Sequence, residues 1–145
     1  MRYLVRAAAV GAVILATVGG ALAADVVAER KEAMKANGAA MKAIKAAVEG
    51  GKAADAVAPA ETIAASMKKV PALFPKGSGA GDTDALPEIW TDWAKFEQAS
   101  ANSAAAADKL AMVAKSGDAG ATGDALKALG GTCGACHKPF RKPQT

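Results

Sequence analysis

The sequence predicts an all-α chain folded as an antiparallel four-helix bundle. Apolar residues recur at spacings of three and four through four segments, and clusters of Gly and Pro separate those segments. No stretch alternates with period two, as a half-buried strand would. Amphipathic helices joined by short connections bury their stripes most simply against antiparallel neighbours.

The chain opens on a leader. Arg2 and Arg6 supply a positive start, an apolar run extends from Ala7 to Leu22, and Ala21-Leu22-Ala23 has the small-x-small pattern cut by a signal peptidase. The run is shorter than the roughly 20 residues that a spanning helix needs, so it reads as an export signal, residues 1–23, and not as an anchor. Cleavage after Ala23 would leave one domain, 24–145, with no remaining segment apolar enough to span a membrane.

The first helix is expected from Val26 to Val48, with Val27, Arg30, Met34, Met41, Ile44 and Val48 on one broad face and Gly50-Gly51 as its stop. A second starts near Pro59, acceptable in a first turn, and carries Ile63 and Met67 up to Val70. Pro71 and Pro75 end it, and Gly77-Ser78-Gly79-Ala80-Gly81-Asp82 has the composition of an exposed loop. The third opens at Pro87 and runs through Lys115 along a seam from Ile89, Trp93 and Phe96 to Leu110 and Ala114. Gly117 and Gly120 separate it from the fourth, which opens near Thr122 and carries Leu126, Leu129, Cys133, Cys136 and Phe140 in register.

Alanine dominates these helices and aromatics make up only 4% of the chain, so the bundle has room along its axis for a large flat ligand. The formal charge of +4 falls to roughly +2 once Arg2 and Arg6 are removed, and the lysines are scattered at helical spacing. That is a solvated surface and not a nucleic-acid stripe. Two cysteines, both near the C-terminus, are too few for a disulfide-stapled scaffold.

Cys133-Gly134-Ala135-Cys136-His137 is the sharpest feature. Positions three and four apart share one face of a helix, so both thiols can reach one edge of a porphyrin while the adjacent imidazole reaches its iron. This is the spacing of covalent haem attachment. A structural zinc site would need four ligands, and His137 is the only histidine. A thioredoxin-like pair would need a strand–helix context. One motif implies one haem c, with Cys133 and Cys136 as thioether anchors and His137 as iron ligand. Any sixth ligand cannot be a second histidine. Thioether sulfur is the obvious substitute, offered by Met34, Met41, Met67 and Met112, although methionine on an apolar helical face more often fills core.

These features together resemble the class II c-type cytochromes, the family of cytochrome c′ and the low-spin cytochrome c-556 group. The likeness covers the whole mature chain. It rests on Arg30-Lys31-Glu32-Ala33-Met34-Lys35, Leu73-Phe74-Pro75, Leu86-Pro87-Glu88-Ile89-Trp90 with Phe96, and the haem motif followed by Phe140-Arg141. The resemblance implies a four-helix bundle with the haem near one end, His137 as proximal ligand and Met34 at the distal position. It implies that Arg30 lies near the haem propionates and Arg141 beside the proximal face. It also implies periplasmic residence and pairing of two copies through the first two helices.

Two functions follow from the distal position. With Met34 bonded to iron, as in cytochrome c-556-like members, the chain is a low-spin single-electron carrier between periplasmic redox proteins, and this is the reading expected first. With Met34 merely packed, as the apolar residue is in many cytochromes c′, the iron is five-coordinate and binds small gases such as nitric oxide or carbon monoxide. A haem enzyme is not expected, because no histidine besides His137 is available as a distal acid–base group.

Overall fold

The computed structural model describes the backbone of residues 18–144, with side chains from Asp25 onward. Five helices account for most of it: α1 (Val18–Glu49), α2 (Val57–Lys69), α3 (Glu88–Thr91), α4 (Trp93–Ala114) and α5 (Ala119–Phe140). The expected leader lies outside the described residues except for the backbone of 18–23, which forms the helical start of α1. None of the described helices is long and apolar enough to cross a membrane.

α1 begins earlier than its amphipathic stripe suggests because the alanine-rich stretch around Ala23 continues the same helical backbone. It ends at Gly50-Gly51 as expected. Gly51 adopts a φ of 68°, and the Lys52 N–H returns to the Ala47 carbonyl at 2.8 Å, the 6→1 bond of a Schellman cap. α2 is bracketed by 3₁₀ turns at Ala53–Ala56 and Val70–Leu73, and Pro71 prevents its continuation.

The expected third helix is two elements. α3 is a single turn, and Asp92, at φ −125° and ψ 55°, separates it from α4. The cause is long-range. The Trp90 indole N–H donates to the carbonyls of Phe74 and Pro75 at 3.0 and 3.1 Å, which ties that turn to the segment after α2. The seam along α4 is as expected: Phe96, Ser100, Ser103, Ala107, Leu110 and Ala114 are all buried. The two serines fit an apolar seam because their hydroxyls donate to backbone carbonyls, Ser100 to Met67 at 2.6 Å and Ser103 to Ala99 at 3.1 Å. α5 starts at Ala119 and not near Thr122, because Asp118 caps it by accepting the Ala121 N–H at 2.9 Å.

α2 packs between α1 and α4, α4 packs on α5, and α5 closes back towards α1, giving a four-helix bundle. Ile44, Ile63, Val70, Ile89, Leu110 and Leu129 are the largest fully buried aliphatic residues. Phe96 holds Phe74 and Phe140 edge-to-face, with ring centroids at 4.8 and 5.4 Å, and thereby joins three elements. The chain after α5 is fastened to the segment before α3. Leu86 N–H donates to Phe140 O at 3.0 Å, Lys142 N–H donates to Asp84 O at 2.8 Å, and Ala85 bridges Arg141.

Candidate functional site

The bundle does not fill its own interior. A cavity of about 700 Å³ lies among α1, α2, α4 and α5, bounded chiefly by Met34, Met41, Ile63, Met67, Phe96 and Phe140. That volume is within the ~300–1,000 Å³ usual for cofactor pockets. The small residues on its lining are Gly38, Ala85, Ser103, Gly130 and Gly134.

α5 supplies the reactive wall. Cys133, Cys136 and His137 all border the cavity, with Cys136 buried and the other two half-buried. Between and before them, Gly134 and Gly130 keep that wall free of bulk. A Cβ at Gly134 would meet nothing within 4 Å, and one at Gly130 would meet only the Met41 methyl at 3.9 Å. Burial pushes both thiols above their ordinary range. Burial, helped by the charge of Arg141, lowers the His137 imidazole, so the ring is held neutral with a lone pair to donate to a metal. Two thiols and one neutral imidazole along one side of an apolar cavity suit a covalently held haem.

Arg30 also borders the cavity, yet it is only 4% exposed and pairs with no carboxylate among the described residues. Its guanidinium donates to the carbonyls of Leu73 and Ser78, the latter at 2.9 Å, and to the Ser78 hydroxyl. It lies over the Phe74 ring at 4.1 Å, with Trp90 at 5.9 Å. Burial lowers its pKa without an anion to offset the effect. The expected exposed loop 77–82 is therefore not wholly exposed. Ser78 is buried beneath Arg30, and Gly79 lies so close to Trp90 that a Cβ there would meet the ring at 2.8 Å.

Arg141 is half-buried at the cavity margin, one turn beyond His137, whose carbonyl accepts its N–H at 3.0 Å. Of the four methionines beyond the expected leader, Met34, Met41 and Met67 line the cavity, while Met112 is 65% exposed on α4 and does not border it. One lining residue escaped the sequence reading. Asn37 is buried on the α1 wall, its Nδ2 donates to Met67 Sδ at 3.5 Å, and its Oδ1 has no partner. Its spacing of three from Met34 and seven from Arg30 was the available signal.

Comparison with known proteins gives a consistent result. The description of the Cytochrome C′ family matches residues 25–141. A cytochrome c′ of Pararhodospirillum photometricum is 45% identical over 116 residues, covering 78% of this chain and 93% of its own length. A cytochrome c-556 of Agrobacterium tumefaciens (strain II Chrys) is 37% identical over 118 residues, covering 79% and 95%. A solved nitric oxide complex of a cytochrome c prime variant from Alcaligenes xylosoxidans superposes with a TM-score of 0.74 at 30% identity, over 83% of this chain and 97% of that one.

Proposed function

The chain belongs to the cytochrome c′ family, and from that premise we propose that it is a periplasmic monohaem protein whose iron keeps an open distal face and binds small gases such as nitric oxide or carbon monoxide. The family's cofactor is one covalent haem c, and Cys133 and Cys136 fit its attachment. In this reading His137 is the proximal iron ligand. Bound there, a haem would supply an iron able to take up a small ligand.

The observation that carries the proposal is the wall contributed by α1 and α2. Met34 is only half-buried there and shares the cavity lining with Met41 and Met67, and only the Met67 sulfur accepts a hydrogen bond, from Asn37, so the wall offers three thioethers and singles out none as the iron ligand. The chain also matches the cytochrome c′ relative at higher identity than the cytochrome c-556 one. Arg30 keeps the 73–78 segment against the cavity, and Phe74, Phe96 and Phe140 exclude water from its α4 side. Arg141 holds positive charge beside His137 and favours its neutral form.

The first-expected reading, an electron carrier with Met34 as sixth ligand, draws on one observation: Met34 lines the same cavity as His137, from the facing helix α1. The absorption spectrum of the haem-loaded protein near neutral pH separates the two. The gas-binding reading expects high-spin haem that takes up carbon monoxide and a Met34→Leu spectrum unchanged from the wild type. Low-spin haem with a sulfur-to-iron charge-transfer band, lost in Met34→Leu and kept in Met41→Leu, would transfer the function to electron carriage. Attachment is tested separately: Cys133→Ala with Cys136→Ala should release haem to acid–acetone, which the wild type should resist.

Export belongs to the same proposal. The family match begins at residue 25, beside the cleavage expected after Ala23, and the mature protein should begin at Ala24 by N-terminal sequencing. Pairing through α1 and α2, with periplasmic redox proteins as electron donor and acceptor, completes the reading; light scattering should give twice the mass of one chain.

A further inference from the structure

A second, smaller recess lies on the outside of the bundle. It holds about 300 Å³ between the segment that follows α2 and the α3–α4 break, and Pro71, Phe74, Pro75, Lys76, Trp90 and Trp93 line it. Phe74 is the wall that it shares with the cavity. Arg30 lies over that ring at 4.1 Å and Phe96 meets it edge-to-face at 4.8 Å, so the partition is a packed one.

The walls are held in place without a guest. The Trp90 indole N–H donates to the Phe74 and Pro75 carbonyls at 3.0 and 3.1 Å, which fixes its ring against the 71–76 segment. Trp93 packs on Phe96 with ring centroids 5.5 Å apart. Pro71 and Pro75 stiffen the backbone of the opposite side. Both indoles are only half-buried, so each keeps apolar surface against water that a flat guest would cover. A slot whose walls are already ordered takes up a guest at little conformational cost.

Lys76 is the charged side chain on this lining. It is exposed, and it forms no ion pair among the described residues. Asp92, which falls between the two indoles in the chain, lies 4.0 Å from Lys95 instead. An aromatic slot with an unanswered ammonium on its lining is complementary to a planar ring that bears an acid group. The volume sits at the lower end of the ~300–1,000 Å³ usual for small-molecule sites, which suits one or two fused rings and not a length of peptide.

We propose that this recess is a second binding site, for a small aromatic carboxylate. The rings lie against Trp90, Trp93 and the two prolines, and the carboxylate pairs with Lys76. The site stands apart from the haem reading, because Phe74 is the one lining residue common to the recess and the cavity.

The test is equilibrium dialysis of naphthoate against the haem-loaded protein near neutral pH, with naphthamide as the neutral analogue and cyclohexanecarboxylate as the non-aromatic one. Naphthoate should bind saturably, one molecule per chain. Cyclohexanecarboxylate should bind about fivefold more weakly, the worth of the aromatic contacts. Lys76→Gln should weaken naphthoate about threefold, as loss of one exposed ion pair does, and leave naphthamide unchanged. Ala72 is an exposed residue of the same lining, so Ala72→Trp leaves the core untouched, fills the recess and should abolish binding of both aromatic probes. Naphthoate binding that survives Ala72→Trp, a Lys76→Gln effect that is absent or equal for naphthoate and naphthamide, or no saturable binding to the wild type would overturn the proposal.

Discussion

Replacing Arg30 by Met tests how a buried guanidinium with no carboxylate partner among the described residues stabilises this fold. The substitution keeps an unbranched stem and removes the guanidinium. It strands the Leu73 and Ser78 carbonyls, which now accept from Arg30, and removes the cation from above Phe74. The Ser78 hydroxyl loses its donor but still donates to Pro75 O at 2.7 Å. Two stranded, largely buried carbonyls cost ~1–3 kcal/mol each, and the lost cation–π contact adds about 1 kcal/mol. Against this, the variant no longer desolvates a guanidinium, a relief of a few kcal/mol in the opposite direction. The net expectation is a loss of about 2–3 kcal/mol, or a Tm lower by about 10 °C at this chain length. Urea denaturation of the loaded protein, followed by Trp fluorescence, measures it. Arg30→Lys should recover less than half, because an ammonium cannot span both carbonyls in the geometry of the planar fork. The loss should be flat from pH 5 to 9, since Arg does not titrate there. A change below about 0.5 kcal/mol in Arg30→Met, or full recovery by Lys, would refute the argument that the fork holds the segment.

Three further outcomes follow from local geometry. Gly79→Ala should destabilise the protein by about 1–3 kcal/mol and alter Trp90 emission, because the added Cβ meets the indole at 2.8 Å. Asp118→Ala removes the side-chain cap of the helix that carries the haem motif and should cost about 1 kcal/mol by thermal melting, with the helix content retained. Chain prepared without haem should keep its far-UV signal and lose its near-UV signal, since the roughly 700 Å³ interior then has nothing to organise it. A cooperative melt equal to that of the loaded protein would contradict this.

How far the sequence could be read depended on the range of the interaction responsible. The α4 seam from Phe96 to Ala114 was legible because burial follows from period alone, and the haem motif because its spacing is local. The break at Asp92 was not, because the indole–carbonyl bonds that cause it join positions 15 and 16 residues apart. Loop 77–82 has the composition of solvent-exposed chain, and nothing within it announces that Arg30, 48 residues upstream, buries Ser78. The residues that carried the family resemblance around Leu73-Phe74-Pro75 and Trp90 prove to be the partners of that arginine. Asn37 was passed over for the opposite reason: a polar residue in an apolar stripe reads as solvated unless its burial is seen.

The placement of the proposed anchors in α5 has a bearing on biogenesis. A ribosome or translocon delivers α1, α2 and α4 before the helix with the two cysteines and the histidine emerges, so the cofactor cannot be fastened to a partial chain. A polypeptide interrupted anywhere before α5 stays colourless, and it also lacks the Phe140 and Lys142 bonds that fasten the last helix to the segment at 84–86. Colour in this protein would thus report on synthesis: a molecule bearing covalent haem is one whose translation has passed His137, which makes pigment content an assay for chains that include the α5 motif.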